Sequence, residues 1–314
     1  MNQCRGVVAS RYFHGPSKAG WPKFRILPLS NTRQVQLIRK AELKKEKEVN
    51  LISNLQGSQK KVVDMSSNPM FLGLLCEHIR VDNEFPQNIH VVFETFIALR
   101  FNRDRDRLLK RFGYIGSDIR LLAEKLAFCM TADEGLGLTP SRKDLVGALI
   151  RQGLEKEEDL HKKLDALEFL KLAKSESEIS ISQDDRPFSF SHRRFQEYFT
   201  TCIILREPNK IDPRQLLMNA RWREVCVTFF QTQPAEAIMP LLGIAEQLLQ
   251  EIAEAIPNRI IAPADFIKTP NSAREYPRYF MWPARIYYLL SLLQDGFWSR
   301  SEVLPNRIQE TAEA

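Results

Sequence analysis

The stretch Phe188-Ser-Phe-Ser-His192-Arg-Arg-Phe-Gln-Glu-Tyr-Phe199 decides the reading of this chain. Its first half alternates apolar and polar side chains, Phe188 and Phe190 against Ser189 and Ser191, as a half-buried strand does. Its second half changes period, and an amphipathic helix is predicted over 193–205. His192 stands at the junction. An imidazole there can cap or hydrogen-bond the helix, or project a donor toward an anion, and the residues alone leave both roles open.

Working outward, a second alternating run, Glu178-Ile-Ser-Ile-Ser182, precedes the first and is joined to it by the turn-like Gln183-Asp-Asp-Arg186. A helix is predicted upstream over 159–172, and another over 141–152, after Thr139-Pro140 and ended by Gly153. Helices followed by a two-stranded wing resemble a winged-helix module. Further helices are predicted over 119–130 and after Phe85-Pro86, the latter leading into the charged run Arg100–Arg111. Asn68-Pro69 reads as an N-cap and first helical residue. Beyond Pro208 the predicted helices run over 214–231, 234–256 and 282–297. The expected fold is mainly α, with a helical domain, a winged helix carrying a short β-hairpin, and before them a residual edge strand of an α/β domain. That strand is Gly6-Val-Val-Ala-Ser10, which has no second β-run nearby to pair with.

Composition narrows the function classes. With 314 residues, 44% hydrophobic and a net charge of +6, the chain has enough apolar surface to fold, so disorder is excluded as a description of the whole. Its five cysteines (Cys4, Cys76, Cys129, Cys202, Cys226) are odd in number and mostly embedded in apolar stretches, as reduced core residues of a cytoplasmic protein are. The most apolar late stretch, 280–293, carries Pro283 and Arg285 and is too short for a membrane span of about 20 residues. No signal peptide is expected from the N-terminus. The charge is uneven. Residues 1–63 hold thirteen Lys/Arg and three Glu, a net of +10, and the remaining 32 basic and 36 acidic residues give −4. An anionic partner is expected to meet the N-terminal fifth first.

Hydrolytic and metal signatures are missing from the sequence. The nearest approach to a phosphate-binding loop, Gly15 to Gly20, runs into Trp21-Pro22 and lacks the Lys-Ser/Thr that would hold phosphates and magnesium. The five histidines are scattered, with no Cys-x-x-Cys or His-x-x-x-His spacing to gather zinc, so no metal ligands are expected.

Phe188-Ser-Phe-Ser-His192-Arg-Arg-Phe-Gln-Glu-Tyr-Phe199 resembles the winged-helix signature of NACHT-family STAND NTPases, the group that includes NOD-like receptors. Three other stretches stand in the order that family requires. Val7-Val-Ala-Ser-Arg11 resembles the strand ending in its sensor 1 arginine, with Lys23–Leu29 and Gln34–Leu43 like the segment that follows. Asn68-Pro-Met-Phe-Leu-Gly-Leu-Leu-Cys76 resembles the start of helical domain 1, and Ala220-Arg-Trp-Arg-Glu-Val225 an element of helical domain 2. The likeness covers roughly residues 5 to 235. It implies four regions: 1–63 as a remnant of the nucleotide-binding domain, 64–135 as helical domain 1, 136–206 as the winged helix, and 207–314 as helical domain 2 with the start of a helical sensor region.

The resemblance also implies a site and a mechanism. Arg11 would contact the γ-phosphate, Pro69 would pack on the base, and His192 would hold the β-phosphate of ADP. ADP would keep a closed monomer, and exchange for ATP would release the winged helix and permit homo-oligomerisation in defence or signal transduction. Walker A and Walker B would lie upstream of Met1. The chain is therefore expected to be a fragment, a degenerate gene product or one half of a split protein, with no autonomous ATPase. Magnesium would join only with the missing P-loop half. Two other readings stay open: a winged helix that binds nucleic acid, drawing on Arg100–Arg111 for phosphate contacts, and a helical adaptor without ligand. Against the first, Asp104 and Asp106 interrupt the basic run, and the helix over 193–205 is too apolar for a groove.

Overall fold

Helix starts in this protein are written into its caps. The computed structural model describes residues 27–57, 65–82, 84–153, 160–175, 185–255 and 272–297. Ser30 caps α1 (Asn31–Lys40), and α2 (Lys45–Gly57) follows. Asn68 Oδ1 accepts the amides of Met70 at 2.9 Å and Phe71 at 3.4 Å, and Pro69 opens α3 (Pro69–Val81), where its missing N–H costs nothing. Asn88 caps α4 (Ile89–Phe112), which absorbs the whole charged run and stops at Gly113, held in the left-handed region at φ 77°. After α5 (Gly116–Ala132), Ser141 caps α6 (Arg142–Arg151), and α7 (Leu160–Phe169) leads to the hairpin.

The hairpin differs from expectation at its first strand. Lys171, at φ 56°, reverses the chain after α7, so the partner of the phenylalanine strand begins earlier than the alternating run suggests. β1 (Ala173–Ser175) pairs antiparallel with β2 (Phe188–Phe190), Ala173 opposite Phe190 and Ser175 opposite Phe188. The run 178–182 lies outside the described residues, as does 6–10. Two backbone bonds dock the hairpin: Phe188 N–H to Pro140 O at 2.8 Å and Ser191 N–H to Leu172 O at 2.9 Å. α8 (Arg193–Arg206) follows at once.

The helix expected over 214–231 is two helices, α9 (Pro213–Met218) and α10 (Arg223–Thr232). Asn219 is the cause. Its backbone is extended, at ψ 120°, and its side chain accepts the Arg221 amide at 3.0 Å, an Asx turn that competes with helical pairing. α11 (Ala235–Ala255) and α12 (Ser272–Phe297) complete the described chain.

Among the described residues the architecture is twelve α-helices with one two-stranded antiparallel sheet, the mainly α fold expected of the sequence. Apolar burial forms two clusters. The first runs from Ile38 on α1 to Cys202 on α8, and so joins parts of the segments expected as helical domain 1 and winged helix. The second gathers Phe128, Ile203, Ile204 and the buried faces of α9 to α12. Helix α8 is the wall between them: Phe195, Phe199 and Cys202 belong to one cluster, Ile203 and Ile204 to the other. No helix among the described residues is long and apolar enough to cross a membrane.

Candidate functional site

The three residues singled out from sequence fall in different circumstances. Arg11 lies outside the described residues. Pro69 is exposed at the first position of α3. His192 is half-buried at the N-cap of α8, where its Nδ1 accepts the Arg194 amide at 3.1 Å. That bond fixes the tautomer: the neutral ring carries its proton on Nε2. The capping role and a donor role therefore coexist on the two nitrogens of one ring.

Aromatic packing relates the two described positions. Phe71, in the first turn of α3, has its ring centroid 6.5 Å from that of Phe93 on α4, and Phe195, in the first turn of α8, meets the same Phe93 edge-on at 5.7 Å. The helix that Pro69 begins and the helix that His192 caps thus share one residue beneath their N-terminal turns. Both N-termini carry partial positive charge, which favours anions nearby.

A polar lattice absent from the sequence reading joins α4, α5 and α8. Arg120 on α5 forks onto Glu94 of α4, Nη1 to Oε1 at 2.6 Å and Nη2 to Oε2 at 2.8 Å. The Tyr198 hydroxyl of α8 donates to the same carboxylate and accepts from Arg120 Nη2 at 3.0 Å. Arg120 Nε also donates to Glu124 at 3.2 Å, and Arg206 closes the lattice on Glu124, whose side chain is 1% exposed. The fork from Arg120 holds the Glu94 carboxyl down at about 2. Burial pushes the Cys202 thiol up to about 11 and lowers His90 below its ordinary value. Apart from Arg120 and Glu124, four residues apart on α5, these partners are 26 to 104 residues apart in sequence, and no local spacing marks them.

The same lattice bears on metal binding. His90, Glu94 and Cys202 place potential ligand atoms within 4.8 Å of one another. Arg120 already supplies a cation there, forked on Glu94 and with Nη2 3.8 Å from Cys202 Sγ. A metal would have to displace a guanidinium from a bidentate, charge-assisted pair, so the cluster is better matched to structure than to coordination. The described cysteines Cys76, Cys129, Cys202 and Cys226 are all buried and free, with thiols raised by burial, unsuited to nucleophilic work.

Beside the lattice opens a cleft of about 310 Å³, mouth included, between α4, α8 and α10. Arg194 bridges two carboxylates in its wall, Glu197 at 2.8 Å and Glu224 at 3.0 Å, tying α8 to α10. His90 meets Tyr198 on the other side, ring centroids 5.0 Å apart and tilted by 31°. Its acids and bases face one another, so the cleft works as an electrostatic seam between helices.

Helix α8 itself is unavailable as a groove reader. Nine of its fourteen residues are buried, among them Phe195, Tyr198, Phe199 and Ile203. Its two leading arginines are engaged, Arg193 with Glu197 at 2.9 Å and Arg194 as above. No protein-family model matches this chain, and no curated protein does either.

Proposed function

We propose that this chain is the regulatory part of a nucleotide-dependent signalling switch of the NACHT type. It contributes Arg11, Pro69 and His192 to an ADP/ATP site whose phosphate-binding loop comes from another segment. The observation that supports the reading is the contact of Phe71, two residues after Pro69, and of Phe195, three after His192, with the same Phe93. The His192 tautomer adds to it, because an Nε2–H donor at a helix N-terminus suits a phosphate oxygen. In this reading ADP stabilises the arrangement in which α8 stays packed on α4 and α5. ATP shifts the equilibrium only by its differential affinity for the released form, which self-associates. The nucleic-acid reading through α8 is disfavoured by the burial of that helix.

The test measures ADP retained through gel filtration by the full chain joined to a P-loop module, with subunit mass read by light scattering. His192→Leu is expected to lower retained ADP at least tenfold and to raise self-association. Equal ADP content in the two proteins refutes the switch role of His192. Absence of ADP from the joined protein itself refutes the nucleotide reading.

A further inference from the structure

Arg100 is the one residue of the charged run whose surroundings ask for a ligand. It is half-buried on α4, its guanidinium 5.5 Å from the ring centre of Phe96, and its Nε is buried without an acceptor. Its neighbours are accounted for differently. Arg103 and Arg107 share the buried Asp104, at 2.9 and 3.6 Å, while Arg111 lies over Phe112 and Phe169. Among the described residues no carboxylate pairs with Arg100. Burial, with Arg103 nearby, lowers its guanidinium from the ordinary arginine value, and Asp104, already shared by Arg103 and Arg107, offsets this only in part. A buried, unsatisfied N–H of a charged group is costly and rare in folded proteins, and a missing anion is one of its few explanations.

The position of Arg100 follows from the ring contacts. His90 faces Tyr198 at 5.0 Å, Phe93 faces both Tyr198 and Phe195 at 5.8 and 5.7 Å, and Phe96 faces Phe195 at 5.7 Å. Each turn along α4 thus matches one turn back along α8, so the two helices are antiparallel. Arg100 continues the stripe of Phe93 and Phe96, four residues on. Continued by one turn beyond Phe96–Phe195, this pairing runs from Arg100 toward residues 190–192, where the chain enters α8 and His192 caps it. Phe96, stacked on Phe195 with an interplanar angle of 19°, is the platform over which the guanidinium lies.

We propose that Arg100 is an anion-binding residue that takes a phosphoryl group at the entrance to α8. The planar fork of arginine matches two oxygens of a phosphate, and the positive end of α8 adds to the field. Naming that phosphoryl group as the diphosphate of the nucleotide rests on the reading above; the anion site itself does not.

The experiment titrates inorganic pyrophosphate into the full chain by calorimetry, alongside Arg100→Met, Arg100→Lys and, as an exposed control, Arg105→Met. Chemical unfolding is followed on each ligand-free protein. Binding is expected in the wild type and in Arg105→Met, at least tenfold weaker in Arg100→Met and intermediate in Arg100→Lys. Ligand-free Arg100→Met is expected to be as stable as wild type or more so, since an unpaired charge has been removed. No pyrophosphate binding by the wild type, or equal binding by Arg100→Met, overturns the proposal, as does a clear loss of stability in ligand-free Arg100→Met, which would mean an internal partner. Pyrophosphate binding that needs Arg100, in a chain whose P-loop-joined form retains no ADP, sustains the anion site and rejects the nucleotide.

Discussion

Replacing Glu94 by Gln removes the charge at the centre of the lattice while preserving its shape. In the wild type the carboxylate accepts two guanidinium N–H bonds and one hydroxyl. Its pKa of about 2 against an ordinary 4.5 corresponds, at face value, to about 3 kcal/mol. The Glu94 side chain is 43% exposed and that of Arg120 is 29% exposed. Solvent screening therefore reduces the contribution to about 1–2 kcal/mol. The carboxyl pKa is depressed by folding, so the stabilisation is fully present above about pH 4.5 and is lost as pH falls through about 2. Glu94→Gln, which cannot titrate, is expected to be about 1–2 kcal/mol less stable than wild type at pH 7, by urea unfolding followed by circular dichroism. The gap is expected to shrink by more than half at pH 3. Arg120→Met should lose at least as much, since it also gives up the Nε bond to Glu124, and the double variant little beyond Arg120→Met alone, because the Glu94–Arg120 pair is then already broken. A gap that is equal at pH 7 and pH 3, or additive losses in the double variant, would refute the assignment of Glu94 as the charged hub.

Two further perturbations test the packing. A methyl group at Gly296 would sit 2.7 Å from Cβ of Phe230, an atom fixed to the α10 backbone, so Gly296→Ala should destabilise by about 1–3 kcal/mol in thermal unfolding, and a neutral result would mean that α10 and α12 separate readily. Asn68→Ala removes the side-chain acceptor of two amides and should cost about 0.5–2 kcal/mol, whereas Asn68→Asp should cost less; equal losses would show that Asn68 is not acting as a cap.

Much of the fold is legible because its signals are local. Asn68-Pro69 and Ser141 mark helix starts by what their own side chains permit, and those starts appear within a few residues of expectation. The start of the hairpin's first strand is not local in this way. β1 begins at Ala173, before the alternating run 178–182, which lies outside the described residues, because the reversal at Lys171 returns the chain beside Phe188–Phe190. The split at Asn219 is legible in hindsight, since Asn favours such turns, but the apolar period continues across it.

The candidate site divides along the same line. His192 and Pro69 could be named from sequence because each stands at a strand-to-helix or loop-to-helix junction, where one residue's chemistry sets its role. Their common contact with Phe93, the Glu94–Arg120–Tyr198 lattice and the unsatisfied Nε of Arg100 could not. By itself the sequence determined a mainly helical chain, its capped helix starts and the basic character of residues 1–63. Only the tertiary structure decided which charges are neutralised. Pairing depends on which helix faces lie within about 4 Å of each other after packing, a distance that sequence separations of 26 or 104 residues do not encode.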